Sequence, residues 1–249
     1  MIVSPVQNIY ARQNFKANNR WITDRLGIPI YKTTTYCFRD DIDWENLIKF
    51  LCMKYRDVPI VNVVAHACSN GMEPLSFLMA LLVHAPQDLK KFTPIIAKDL
   101  NADNIYMAKK NIFPISAEDF FRIQENTKCK YLNFIELEKY KNDVNQALLM
   151  KPKKILTDNI IFEQGNIFDD VPKLSPENTI LFCRNMWMYL NKQEKTKLAE
   201  LLGKRLEKSS TVILGYLDVY NAEADKFLLR EGFHRCNNMY GTQNYLFSK

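Results

Sequence analysis

Short apolar runs, each followed by a segment with helical periodicity, constrain this chain more than any other feature. Residues 60–65 (IVNVVA), 94–98 (PIIAK) and 179–183 (TILFC) are apolar or β-branched with little polar alternation, the pattern of strands buried on both faces. A fourth run, residues 211–216 (TVILGY), follows a helix opened by Asn191 with Glu194 three positions on, a capping box. That helix carries Leu198, Leu201, Leu202 and Leu206 on one face. Strands alternating with helices form right-handed βαβ crossovers and a sheet covered on both faces. The expected fold class is therefore α/β, a mostly parallel Rossmann-like sheet. The pattern changes at residues 227–233, with Gly232 and Gly241 as breakers, and residues 244–247 read as a strand near the sheet edge, antiparallel to its neighbour.

A length of 249 residues suits one core, or one core with a small appendage. Residues 1–35 lack periodicity and are punctuated by Gly27 and Pro29, so they read as an N-terminal arm over a main domain at 36–249. Within that domain, residues 115–159 are charged and fit the alternation poorly, as a small inserted subdomain would.

Composition removes several function classes. The N-terminus has charges and amides where an export signal needs an apolar stretch, and the longest apolar run, residues 75–83, is too short to span a bilayer. A cytoplasmic protein without membrane insertion is expected. Six scattered cysteines without a CxxC pair and three histidines give no metal-ligand spacing, so no metal is expected and the thiols read as reduced and buried. The formal charge of +6 is spread along the chain without aromatic interleaving, which favours a solvated basic surface over a nucleic-acid footprint.

The first strand runs into His66, Ala67, Cys68, Ser69, Asn70 and Gly71, after which Glu73 and Pro74 open an apolar helix. Small residues where a buried strand meets a helix let a ligand approach the backbone, at the end of the sheet where such folds bind ligands. The loop lacks GxGxxG, so a nucleoside without a pyrophosphate fits better than a dinucleotide. The next strand ends at Asp99, placed to accept hydrogen bonds from ribose hydroxyls. Its alternative role is to cap the helix that begins at Ala102.

In order along the chain, TTTYCFRD, ACSNGMEPLSFLMALL, IIAKDLNADNIYMAKKNIF, FEQGNIFDDVP and ILFCRNMWMYLNKQEK resemble the successive motifs of the chemotaxis-receptor glutamate methyltransferases, the CheR type. The resemblance implies a class I methyltransferase sheet that binds S-adenosylmethionine and methylates a protein side-chain carboxylate. It places Thr33, Thr35 and Arg39 at the methionine end, Ala67 in the loop against the cofactor, and Glu73 at the amino-acid group. Asp99 takes the ribose, Asn166 and Ile167 flank the adenine, and Arg184 and Asn185 follow the strand before them into the site. Arg39 and Tyr189 match the family's proposed catalytic positions. Read without the family, Arg39 could pair with Asp40 or Asp41 on the surface, Tyr189 could be core, Asn166 a turn residue, and Cys68 and Cys183 packing.

The sequence departs from the family at Met72, where a second acid is usual, at Leu75 for an aromatic, and at Thr33 for an asparagine. The family's basic helical N-terminal domain, which contributes to receptor recognition, is expected to be largely missing. Other readings are a small-molecule or other O- or N-methyltransferase on the same core, a non-catalytic S-adenosylmethionine-binding protein, and, on the charge alone, an RNA methyltransferase.

Overall fold

The computed structural model describes residues 35–139, 148–236 and 245–249, together with a short antiparallel ladder of β1 (Ile22–Thr23) and β2 (Pro29–Ile30). Thr33 and Asn244 lie outside the described residues. The centre is a seven-stranded sheet of β3 (Asn62–His66), β4 (Ile95–Asp99), β8 (Ile160–Gln164), β9 (Thr179–Phe182), β10 (Thr211–Ile213), β11 (His234–Arg235) and β12 (Leu246–Ser248), in the order β11-β12-β10-β9-β3-β4-β8. Every pairing from β8 through β10 is parallel, whereas β12 runs antiparallel to both β10 and β11. This is the α/β sheet expected from the alternation of short strands with helices.

Alternate side chains of each inner strand feed opposite layers, because strand side chains alternate faces. Val63 and Ala65, with Ile180 and Phe182, pack into a cluster that includes α1 (Trp44–Lys54) and α2 (Met72–His84). Val64 and Leu181 face the other way, into a cluster with α8 (Lys192–Arg205) and α10 (Ala224–Arg230). The short α3 (Leu89–Phe92) leads into β4, α4 (Ala102–Lys110) follows it, and α7 (Ile167–Asp170) follows β8. The capping box at α8 is formed as its sequence implied, with Asn191 accepting from the Glu194 N–H at 3.0 Å and Glu194 accepting from the Asn191 N–H at 2.8 Å.

Between α4 and β8 lies a separate three-stranded antiparallel sheet, β5 (Phe113–Ile115), β7 (Leu148–Pro152) and β6 (Ile135–Lys139), with α5 (Ala117–Asn126) beside it and α6 (Lys154–Thr157) leading out. Phe113, Ile115, Ile123, Ile135 and Met150 tie it to the main core.

The structure corrects the sequence reading at two elements. β8 was not expected: Ile160 and Phe162 are buried while Ile161, Glu163 and Gln164 are exposed, so this outermost parallel strand is uncovered on the side of Ile161 and Glu163. The strand expected over 211–216 stops at Ile213, and Tyr216 begins α9 (Tyr216–Tyr220), because the Asp218 carboxylate accepts the Gly215 N–H and turns the chain. The C-terminal strand β12 lies near the sheet edge and antiparallel to its neighbours, as expected, with β11 paired outside it. Among the described residues, no helix is long and apolar enough to cross a membrane.

Candidate active site

The end of β3 enters its loop through alternating left-handed residues, Ala67 (φ 57°), Ser69 (φ 52°) and Gly71 (φ 94°). At Gly71 glycine is required twice over, by its φ and because a Cβ would stand 2.7 Å from the Phe162 ring. The loop is fastened to the next strand by the Cys68 N–H donating to the Lys98 carbonyl at 3.0 Å. It is fastened again by Asp99. That carboxylate accepts from the Ser69 N–H at 2.7 Å, the Asn101 N–H at 2.9 Å and the Asn104 amide at 3.2 Å. The capping alternative for Asp99 is thereby excluded, since Asn101 caps α4 by accepting from the Asp103 N–H at 2.8 Å. Burial raises the Asp99 pKa above the ordinary carboxylate value despite these donors.

After β9 the chain places Arg184 with its side chain fully buried. One guanidinium nitrogen meets Glu73 at 2.5 Å and the other meets Asp41 at 2.5 Å, and the group lies over the Trp44 ring at 5.8 Å. Asp41 in turn accepts from the Tyr216 N–H at 2.9 Å. Asn185 is left-handed at φ 56°, its N–H donates to Asp218, and a Cβ on Gly215 would stand 2.5 Å from its Oδ1. Asp218 also accepts the Trp187 N–H at 2.9 Å, and burial pushes its pKa up to about 6 against these donors.

Arg39 is half-buried, with its guanidinium over the Tyr36 ring at 4.7 Å, and Arg122 lies 4.6 Å from the same ring. The acids next to Arg39 in sequence serve other arginines: Asp40 accepts from Arg122 at 3.0 Å, and Asp41 holds Arg184. The core place in the FCRNMWMY segment belongs to Trp187, leaving Tyr189 half-buried at the end of a short turn. Burial raises the Tyr189 hydroxyl pKa while Arg39 pulls it down. Asn166 caps α7, accepting from the Phe168 N–H at 3.0 Å. Cys68 and Cys183 are fully buried, with pKa values raised by burial, as packing residues are.

One cavity gathers these groups at the carboxyl ends of β3, β4, β8 and β9. Thr35, Arg39, Ala67 and Glu73 line it, as do Asp99, Asn166, Ile167, Arg184, Asn185 and Tyr189. Every expected site residue within the described chain is thus in one place. The sequence reading did not single out Leu100, Phe168, Met188 and Leu217, which add largely apolar surface. It set His66 in the loop against the ligand but did not anticipate that His66 faces Asp170, with Nε2 to Oδ2 at 3.4 Å, while Lys98 reaches Asp170 at 3.3 Å. Burial lowers the His66 pKa to about 4, with Asp170 opposing and Lys98 assisting. The strand-end position of His66 was visible in sequence, but nothing there marked Asp170 as its neighbour.

The residues present fit a nucleoside carrying an amino-acid tail. A buried acid stands at the second strand end, apolar side chains flank the third, and a charged cluster lies beyond. Arg184 Nε and Asn185 Nδ2, both buried, have no hydrogen-bond partner among the described residues.

Residues 33–235 match the family described as CheR methyltransferase, SAM binding domain. The chemotaxis protein methyltransferase of Borreliella burgdorferi is 23% identical over 189 residues, covering 73% of this chain and 62% of that protein. Chemotaxis protein methyltransferase 2 of Vibrio cholerae is 24% identical over 189 residues, covering 73% and 60%. The chain thus spans about three fifths of the length of these relatives. A TehB-like SAM-dependent methyltransferase from Corynebacterium glutamicum superposes with a TM-score of 0.41 at 12% identity, over 83% of this chain and 87% of that one. Matched over most of its length by that family, the chain belongs to the CheR methyltransferases, through their S-adenosylmethionine-binding domain.

Proposed function

We propose that this chain is an S-adenosylmethionine-dependent methyltransferase that esterifies a side-chain carboxylate of a protein, glutamate being the CheR-type acceptor. The observation that carries the reading is the meeting of Arg39, Glu73, Asp99, Arg184 and Tyr189 in one cavity at the carboxyl ends of the sheet. Residues 36–249 form the catalytic unit, with 115–159 as its inserted subdomain and 1–35 as an arm. The free cysteines favour a reducing, cytoplasmic setting.

Asp99 accepts the ribose hydroxyls, Asn166 and Ile167 hold the adenine, and Ala67 lets the ligand approach the backbone. Glu73 takes the ammonium of the amino-acid end, with Thr33, Thr35, Arg184 and Asn185 around it. Bound S-adenosylmethionine supplies a methyl group on a sulfonium sulfur, which leaves as a neutral thioether when the acceptor oxygen forms the new C–O bond. The acceptor carboxylate already carries its charge near neutral pH, so no general base is needed. Arg39 orients it with a planar fork of donors. Tyr189, kept protonated by its raised pKa, donates a hydrogen bond and steers the acceptor. Orientation of this kind lowers a two-centre barrier by roughly 7–11 kcal/mol.

The test is transfer of a labelled methyl group from S-adenosylmethionine into protein, with methanol released by alkali as the signature of an ester. Arg39→Lys and Tyr189→Phe should each lower the single-turnover rate more than cofactor affinity, and the double variant should fall short of the product of the two losses. Cofactor binding with no labelled protein in any acceptor fraction, including receptor-containing membranes, would overturn the catalytic reading.

A further inference from the structure

Arg184 is held by two carboxylates of different standing. Glu73 lies in the cavity wall and reaches the guanidinium through one oxygen, Oε2. Asp41 is not among the residues lining the cavity and is anchored through both oxygens, Oδ1 to Arg184 and Oδ2 to the Tyr216 N–H. A buried guanidinium stripped of its partners is strongly unfavourable. If Glu73 alone balanced Arg184, it could not turn to a ligand ammonium without stranding that charge. Asp41 removes the conflict. The two acids also ionise differently: burial is outweighed at Asp41 by Arg184, the Tyr216 N–H and Arg39, which hold its pKa below the ordinary value. At Glu73 burial prevails over Arg184 and Arg39 and raises it. The more firmly charged partner is therefore the one outside the cavity.

We propose that Asp41 is a positioning residue for the amino-acid end of the ligand: it keeps Arg184 fixed and charge-balanced so that Glu73 is released to take the ligand's ammonium group. The proposal rests on the cavity being the S-adenosylmethionine site. It concerns an acid two positions beyond Arg39, one that in sequence reads only as a surface partner of that arginine.

The experiment is calorimetric titration of the folded protein with S-adenosylhomocysteine and with 5′-methylthioadenosine, which keeps the nucleoside and lacks the amino-acid end. Asp41→Asn should weaken S-adenosylhomocysteine by about tenfold or more and leave methylthioadenosine within about twofold. Asp41→Glu keeps the charge at a longer reach, so its loss should be smaller, about threefold, and confined to the same ligand. It carries the test alone if the Asn variant does not fold. Equal losses for both ligands would mean that Asp41 merely holds the fold, and unchanged affinity for both would mean that Glu73 never needed releasing; either result overturns the proposal. A wild-type protein that binds neither ligand overturns the site reading itself, and the Asp41 role with it.

Discussion

Asp99 fastens the loop after β3 and is the proposed ribose acceptor, and its substitution should test both. The side chain accepts two backbone N–H groups and the Asn104 amide while buried, and it lines the cavity. Asp99→Asn turns an N–H₂ group toward donors, so S-adenosylhomocysteine affinity should fall by about 1.5–3 kcal/mol and stability by about 1–3 kcal/mol. Calorimetry and urea denaturation read the two separately. An affinity loss without a stability loss would mean that the loop does not depend on this carboxylate. His66 supports a prediction in pH. Its folded pKa, lowered by burial to about 4 from an ordinary 6.5, means the unfolded chain takes up the proton first, so stability is lost as pH falls through that window. At about 1.4 kcal/mol per pH unit the full effect is roughly 3 kcal/mol, of which about 2 falls between pH 7 and pH 5. Asp218, pushed up to about 6 by burial, works in the opposite direction: its contribution is present at low pH and is lost as pH rises through 6. The imidazole is therefore isolated by comparing wild type with His66→Gln. The variant's stability should lack the His66 decline, and parallel pH profiles would exclude the assignment.

Loops and caps decide which elements the sequence could announce. The capping box of α8 was legible because its residues sit three apart and satisfy each other locally. The small-residue loop after β3 was legible as a ligand approach for the same local reason. Part of what forces glycine at position 71 is not local, since the Phe162 ring belongs to β8. Gly71→Ala should cost at least about 2 kcal/mol, combining a left-handed alanine with a displaced ring. Gly232→Ala provides the comparison: φ is +82° there too, yet a Cβ would meet nothing within 4 Å, so only the backbone penalty of about 1–2 kcal/mol applies. Equal costs in urea denaturation would show that Phe162 moves aside freely. β8 escaped the sequence reading because Glu163 and Gln164 close it after only three apolar residues, so it lacks the longer apolar run of a doubly buried strand.

For the whole molecule, ligand binding and folding are one equilibrium. S-adenosylhomocysteine at about 100 times its dissociation constant should stabilise the native state by about 2.7 kcal/mol, raising Tm by about 5–10 °C at this chain length. NAD should give no shift, because the loop after β3 lacks the pyrophosphate cradle of GxGxxG folds. A shift with NAD and none with the nucleoside, in a thermal scan, would overturn the cavity's assignment. The parallel α/β sheet, its two faces and the strand end where the cavity lies are legible in the chain alone, because strand and helix periodicities are properties of neighbouring residues. The pairing of charges is settled by packing. Asp40 and Asp41 both stand beside Arg39 in sequence, yet one serves Arg122 and the other Arg184, across separations of 82 and 143 positions. Ion pairing depends on which charges lose their water together, and burial is set only when β9, α2 and the segment before α1 have closed on one another.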